Sequence, residues 1–277
     1  MRIGFHIPFS GSLNKLEERV KVTRGNTFQV YARSLRGRNK AGEMVRLQRL
    51  NPKRLQEYYA YLEKRGVGPV IVHAPYSYNL AKSVTDDVSY IQEDLMFASK
   101  LKAQFYVLQT GYFKGMHPFL ALGQAKLNLQ KVLKSVNWEG ELLIKNMSGA
   151  GTEMASTLED WNELITFHPS IKGALDLGRL YDHGIPFQSE QEAGACVKLI
   201  EEVVGWDKIK VIYINDTIRR LGERKNKFVP LGEGVINYKG YEHILSYPQV
   251  KEKIWIVENQ SVDHYDKTIE FVLSFYE

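Results

Sequence analysis

The chain has 277 residues, 44% of them hydrophobic and 25% charged, with 22 Gly and 9 Pro. That composition excludes disordered, collagenous and low-complexity classes, and the length suits one large α/β barrel or two small domains. The net charge is only +5, but Tyr31 to Arg54 is strongly basic against Glu43 alone and Arg219 to Lys227 against Glu223 alone, so the remainder is net acidic.

In chain order, Ile3–Ile7 is the first strand-like run and Thr27–Ala32 the second. Asn51 to Lys64 follows as an amphipathic helix opened by Asn51-Pro52, with Leu55, Tyr58, Tyr59 and Leu62 on one side. Val67–His73 is a third strand, and Val84 to Lys102 a helix with Val88, Ile91, Leu95 and Ala98 inward. Gln104–Leu108 and Glu141–Lys145 are strands four and five, and Thr157-Leu158-Glu159-Asp160 starts another helix. Lys172–Leu175 is strand six, Gln191 to Val204 a helix burying Ala195, Leu199, Ile200 and Val203, and Ile209–Ile214 and Lys253–Val257 complete eight strands. Several runs are nearly continuous in apolar residues, as in parallel strands covered on both faces. Eight strand–helix units predict a single (β/α)8 TIM barrel over residues 1–277. The alternative, a doubly wound open sheet, lacks a Gly-rich fingerprint after its first strand.

Reactive groups of such a barrel lie at the carboxyl ends of the strands. Both basic segments begin there, which predicts a polyanionic partner. No apolar run is long enough to span a membrane, no signal-peptide core follows Met1, and the one cysteine, Cys196, excludes an internal disulfide and a thiolate zinc site. A soluble, cytoplasmic, monomeric protein is expected, with Cys196 as inert core.

Residues at the strand ends, taken in order, form a recognisable set: Gly4-Phe5-His6, then Phe28-Gln29-Val30-Tyr31-Ala32-Arg33 with Arg36, then His73-Ala74-Pro75-Tyr76-Ser77-Tyr78-Asn79-Leu80. Asn146, Gly149 and Gly151-Thr152 come next, followed by Leu175-Asp176, Ile214-Asn215-Asp216-Thr217, Leu231-Gly232-Glu233-Gly234 and Val257-Glu258-Asn259. This ordered set resembles endonuclease IV, the zinc-dependent apurinic/apyrimidinic endonucleases, nearly end to end. The resemblance implies an endonuclease IV-like TIM barrel acting on DNA.

It also implies a lost metal site. His73, Asp176 and Glu258 match zinc-ligand positions, whereas Gln109, Lys145, Arg179, Tyr213, Asn226 and Phe228 stand where the family has ligands. Lys145 and Arg179 are fixed cations, not weaker ligands. Two acids facing two bases make a cluster that is neutral without an ion, so the expectation is no metal and no cofactor. Arg36 and Tyr76 match the family residues that penetrate the duplex, with Ser77 in place of an apolar wedge. Arg33, Arg38 and Lys40 with Arg219, Arg220, Arg224, Lys225 and Lys227 are the expected phosphate contacts. His6, Asn215, Asp216 and Glu233 join Gln109, Tyr213, Asn226 and Phe228 around the pocket.

Three readings follow. The first is a metal-free protein that binds damaged, modified or flipped nucleotides in DNA. The second is a metal-independent DNA glycosylase or AP lyase in which Lys145 forms a Schiff base, or Asp176 or Glu258 steadies a sugar cation, with His73 and Arg179 beside them. The third is a sugar isomerase-like enzyme, which the basic rim and the replaced ligands disfavour.

Overall fold

A computed structural model describes the chain except for residues 23–24, 35, 38, 42, 45–46, 48, 135–136, 226, 259–264 and 276–277. Eight parallel strands close into a barrel in the order β1 (Arg2–His6), β10 (Ile254–Val257), β7 (Ile209–Ile214), β6 (Ile171–Asp176), β5 (Glu141–Lys145), β4 (Phe105–Leu108), β3 (Val70–His73) and β2 (Thr27–Tyr31). The eight expected strands are all present, with ends displaced by up to three residues. A two-stranded hairpin, β8 (Asp216–Thr217) with β9 (Phe228–Val229), lies outside the barrel and carries the second basic segment between its strands.

The helices start where local chemistry satisfies their free N–H groups. Asn51 caps α2 (Pro52–Arg65) by accepting from the Lys53 N–H at 3.0 Å, and the left-handed Gly66 ends it. Thr157 caps α5 (Leu158–Ile165), and a Ser189–Glu192 capping box opens α7 (Glu190–Val203). The helix α3 (Asp87–Lys100) buries Ile91, Leu95 and Ala98 as expected. In α7 the expected face is off by part of a turn: Ala193, Cys196, Val197 and Ile200 are buried, while Ala195 and Leu199 are exposed. Cys196 is core, and burial pushes its thiol up to about 12. No helix among the described residues is long and apolar enough to cross a membrane.

Two apolar cores result. The larger lies between strands and helices; the smaller fills the barrel with Ile71, Val107, Leu143, Ala174, Val211, Tyr213 and Ile256. Side chains alternate along a strand, so residues two further on face the same interior. These are His73, Gln109, Lys145, Asp176, Asn215 and Glu258, a polar layer laid over an apolar plug. Gly4 is fixed by the closure itself, because a Cβ there would overlap the Thr27 carbonyl of the neighbouring strand.

Candidate functional site

The centre of the polar layer is Lys145, at the last position of β5 and 0% exposed. Its Nζ donates to Glu258 Oε2 at 2.6 Å and lies 3.0 Å from Asp176 Oδ2. The same ammonium sits 3.7 Å above the Tyr213 ring, which closes the interior beneath it. Burial alone would raise the Glu258 carboxyl, yet the Lys145 ammonium holds it well below the usual carboxylate range.

Asp176 has two tasks. It ends β6 and caps α6 (Leu177–His183), accepting the Arg179 N–H at 3.1 Å through Oδ1. One helical turn on, the Arg179 side chain returns to place Nε 3.6 Å from Asp176 Oδ2, and Asn215 Nδ2 donates to the same oxygen at 3.1 Å. Arg179 Nη1 is also 3.7 Å from Glu153 Oε1, and its guanidinium lies 5.5 Å from the Phe228 ring. Glu153 is buried; its other oxygen accepts from Ser148 Oγ and the Gly149 and Ala150 N–H groups at 3.0–3.1 Å. The expected neutral cluster of two acids and two bases is thus corrected: Glu153 adds a third acid, and the set carries one formal negative charge.

A second ring of contacts joins the neighbouring strands. Gln29 Nε2 donates to Glu258 Oε1 at 3.2 Å and lies 3.3 Å from His6 Nδ1, while Gln29 Oε1 accepts from the Tyr213 hydroxyl. Tyr31 donates to the Tyr76 hydroxyl at 2.8 Å, and its ring packs against His6 and His73. His73 Nδ1 donates to the Ala74 carbonyl at 2.6 Å, leaving Nε2 buried without a partner among the described residues. Burial lowers His73 to about 3 and His6 to about 4, so both rings are neutral. Gln109 Nε2 and Asn215 Oδ1 are likewise buried and unpartnered.

Arg33 is the clearest correction to the expected DNA contacts. It is 3% exposed, with Nε on Asp94 Oδ1 at 2.8 Å and Nη2 on Glu93 Oε2 at 2.6 Å. The hydroxyls of Tyr78 and Tyr106 donate to the other Asp94 oxygen, so Arg33 tethers the basic loop to α3 and does not face solvent. Arg36, Lys40, Arg220, Arg224, Lys225 and Lys227 are exposed, and Arg219 is half-buried, 3.7 Å from Glu223. Arg38 and Asn226 lie outside the described residues. Tyr76 is half-buried with its hydroxyl tied to Tyr31, and Phe228 is half-buried under Arg179.

Asp216 and Glu233 do not line the pocket as expected. Glu233 is exposed in a turn closed by its N–H on the Pro230 carbonyl. Asp216 is fully buried and receives the N–H groups of Thr217, Gly232, Gly234, Ile236 and Asn237 at 2.8–3.1 Å. Its carboxylate shapes the Leu-Gly-Glu-Gly turn, and Gly234 is required because a Cβ there would overlap that carboxylate. Replacing Asp216 by alanine strands several of these donors, at a cost of about 3 kcal/mol. Urea denaturation is the check, with faster amide exchange expected at Gly232 and Gly234.

Comparison with known proteins places this geometry. The family described as xylose isomerase-like TIM barrel matches residues 26–274. A protein of Carboxydothermus hydrogenoformans named "Probable endonuclease 4" is 30% identical over 93% of this chain and 90% of its own length. The chain belongs to the endonuclease IV-like group of this TIM-barrel family. The crystal structure of endonuclease IV from Thermus thermophilus superposes with a TM-score of 0.84 at 21% identity, covering 100% of this chain and 99% of that one. A D-tagatose 3-epimerase-like protein superposes at 0.70 and 16% identity over 100% and 97% of the two chains. Both likenesses concern the fold.

The zinc ions implied by the endonuclease IV resemblance do not fit these residues. Zinc takes carboxylate oxygens at about 2.0–2.2 Å, and the two carboxylates at ligand positions instead share one ammonium. Among the described residues, no group of three or more His, Cys, Asp or Glu is placed to hold a metal ion. Gln29, Tyr31 and Glu153 are the members that sequence reasoning left without a role. For Gln29 and Tyr31 the signal was present: both are polar residues on the inward phase of a strand.

Proposed function

We propose that this protein binds DNA at a damaged, modified or flipped nucleotide and does not cut phosphodiesters by zinc chemistry. The observation that carries this reading is Lys145 Nζ seated between Asp176 and Glu258 at 3.0 and 2.6 Å. A divalent ion would have to displace the ammonium from both carboxylates and would still lie at short range from it and from the Arg179 guanidinium, with like-charge repulsion from each. DNA as partner is supported by the endonuclease IV-like relatives and by exposed basic side chains on both loops of the strand-end face. Among the described residues, His73, Gln109 and Asn215 each carry an unfilled hydrogen bond in the buried layer beneath the strand-end loops.

The same contacts stand against a lyase. A Schiff base needs a lysine lone pair facing the substrate, and Lys145 is enclosed and donates to carboxylates.

The test is fluorescence anisotropy with duplexes carrying a tetrahydrofuran site, a deaminated base or no lesion, with and without chelator, followed by gels before and after alkali. Lesion-dependent binding that survives chelator and leaves both strands intact is expected. Each exposed cation that neutralises a phosphate should contribute about 0.9 to the slope of log affinity against log salt. Zinc-dependent strand cleavage, or binding indifferent to lesion and salt, overturns the reading. A borohydride-trapped adduct lost in Lys145→Ala would replace it with the lyase.

A further inference from the structure

A cavity of about 370 Å³ opens between the loop after β3 and the loop after β4, outside the cluster around Lys145. Asn79, Lys82, Tyr112, Phe113, Lys114 and Met116 line it, and no acid is among its lining residues. Lys82 and Lys114 are exposed, and Tyr112 is 36% exposed. The volume lies in the range of small-ligand sites.

This groove is built onto the mouth of the barrel. Asn79 clamps the Tyr112 backbone from both sides, its Nδ2 donating to the Tyr112 carbonyl at 2.9 Å and its Oδ1 accepting the Tyr112 N–H at 3.1 Å. Tyr112 forms a β-bridge with Glu153, and the Phe113 N–H donates to Thr152 at 2.8 Å. Glu153 in turn holds Arg179. Gly111, at φ +91°, lies so close to Asn79 that a Cβ there would come within 2.6 Å of the Asn79 Cα. The groove wall is therefore joined to the charged cluster through the Tyr112–Glu153 bridge.

We propose that the groove holds an unpaired nucleotide flanking the one at the mouth, its base on the Tyr112 ring and its phosphates between Lys82 and Lys114. This rests on the reading that the mouth takes DNA. An aromatic face with two cations and no acid complements a base joined to phosphates, and such platforms are indifferent to sequence because every base has a π-face. A base inside a duplex is already stacked on its neighbours, so the occupant must be single-stranded.

The experiment compares a short labelled blunt duplex whose terminal nucleotide on one strand is a tetrahydrofuran site with the same duplex extended directly past that site by an oligo-dT overhang, 5′ in one form and 3′ in the other. The wild type is expected to bind one overhang form about tenfold more tightly than the blunt form. Tyr112→Ala, whose backbone bonds to Asn79 remain, and the double variant Lys82→Glu, Lys114→Glu should each lose that gain while keeping blunt-duplex affinity. Neutralising two phosphates of a single strand predicts a salt slope lower by about 1.4 in the double variant. Blunt-duplex binding with no overhang gain, or a gain retained in both variants, overturns the groove and leaves the mouth reading standing. Failure of the wild type to bind any of these duplexes overturns both.

Discussion

Replacing Lys145 by methionine is expected to cost about 3–5 kcal/mol of folding stability, among the largest effects available to one substitution in this chain. The loss does not come from the methylenes, which methionine largely replaces, but from what the ammonium leaves behind. Asp176 Oδ2 and Glu258 Oε2, now 3.0 and 2.6 Å from one positive charge, would face a shared space beside a buried apolar plug, left with Arg179, two amide donors and the Tyr31 hydroxyl. Two carboxylates at such range cannot both remain ionised at neutral pH without large cost. Glu258→Gln added to Lys145→Met removes one of them and is expected to return about 2 kcal/mol, a coupling that a merely bulky or flexible lysine would not show. Lys145→Arg tests shape, because a larger planar fork must be fitted into the buried space that a compact ammonium now occupies 3.7 Å above the Tyr213 ring and between two acids. Urea midpoints for the four proteins decide the matter, and a Lys145→Met midpoint equal to wild type would show that the two ion pairs contribute nothing.

The barrel was legible because its signals are local and repeated. Apolar runs of four to six residues and helical stripes recur often enough that a boundary error in any one leaves the closure unchanged. Asp176 shows how small such an error is: it was expected just after strand six and is the strand's last residue. Long-range pairing was not legible in this way. Arg33 stands in a basic stretch and reads as a surface charge, yet its partner Asp94 is 61 positions away on α3, and only the fold brings the two to 2.8 Å. Glu153 was missed for a related reason. It belongs to a turn whose N–H groups close onto its own carboxylate, and its reach to Arg179 crosses from the loop after β5 to the helix after β6. The pairing of Lys145 with Asp176 and Glu258 was expected, because barrel geometry alone brings strand ends together once their order is fixed.

Acid is expected to destabilise the fold by about 1.4 kcal/mol per pH unit between pH 6 and pH 4. In an unfolded chain His6 and His73 take a proton near pH 6.5. In the fold, burial, with the nearby Lys145 ammonium adding to it and Glu258 opposing, depresses them to about 4 and about 3. A depressed histidine contributes stability that is complete above its unfolded value and is lost as the pH falls through the folded one, so across this window the unfolded chain binds two more protons at these sites. Asp94 runs the other way: burial raises it to about 6 against the pull of Arg33, so between about 6 and 4 the folded protein keeps a proton that the unfolded chain has released. The balance is about one proton taken up on unfolding, which sets the slope. From about pH 5 downward Glu258 adds to the steepness, because it is held below the usual carboxylate range while its unfolded counterpart protonates around 4.5. Urea midpoints measured from pH 7 to pH 4 give the slope directly. His73→Gln or His6→Gln removes one of the two unfolded-state protons and should flatten it towards zero, whereas a wild-type midpoint that rises as the pH falls over this range would mean that both rings are charged in the fold and that Asp94 alone sets the slope.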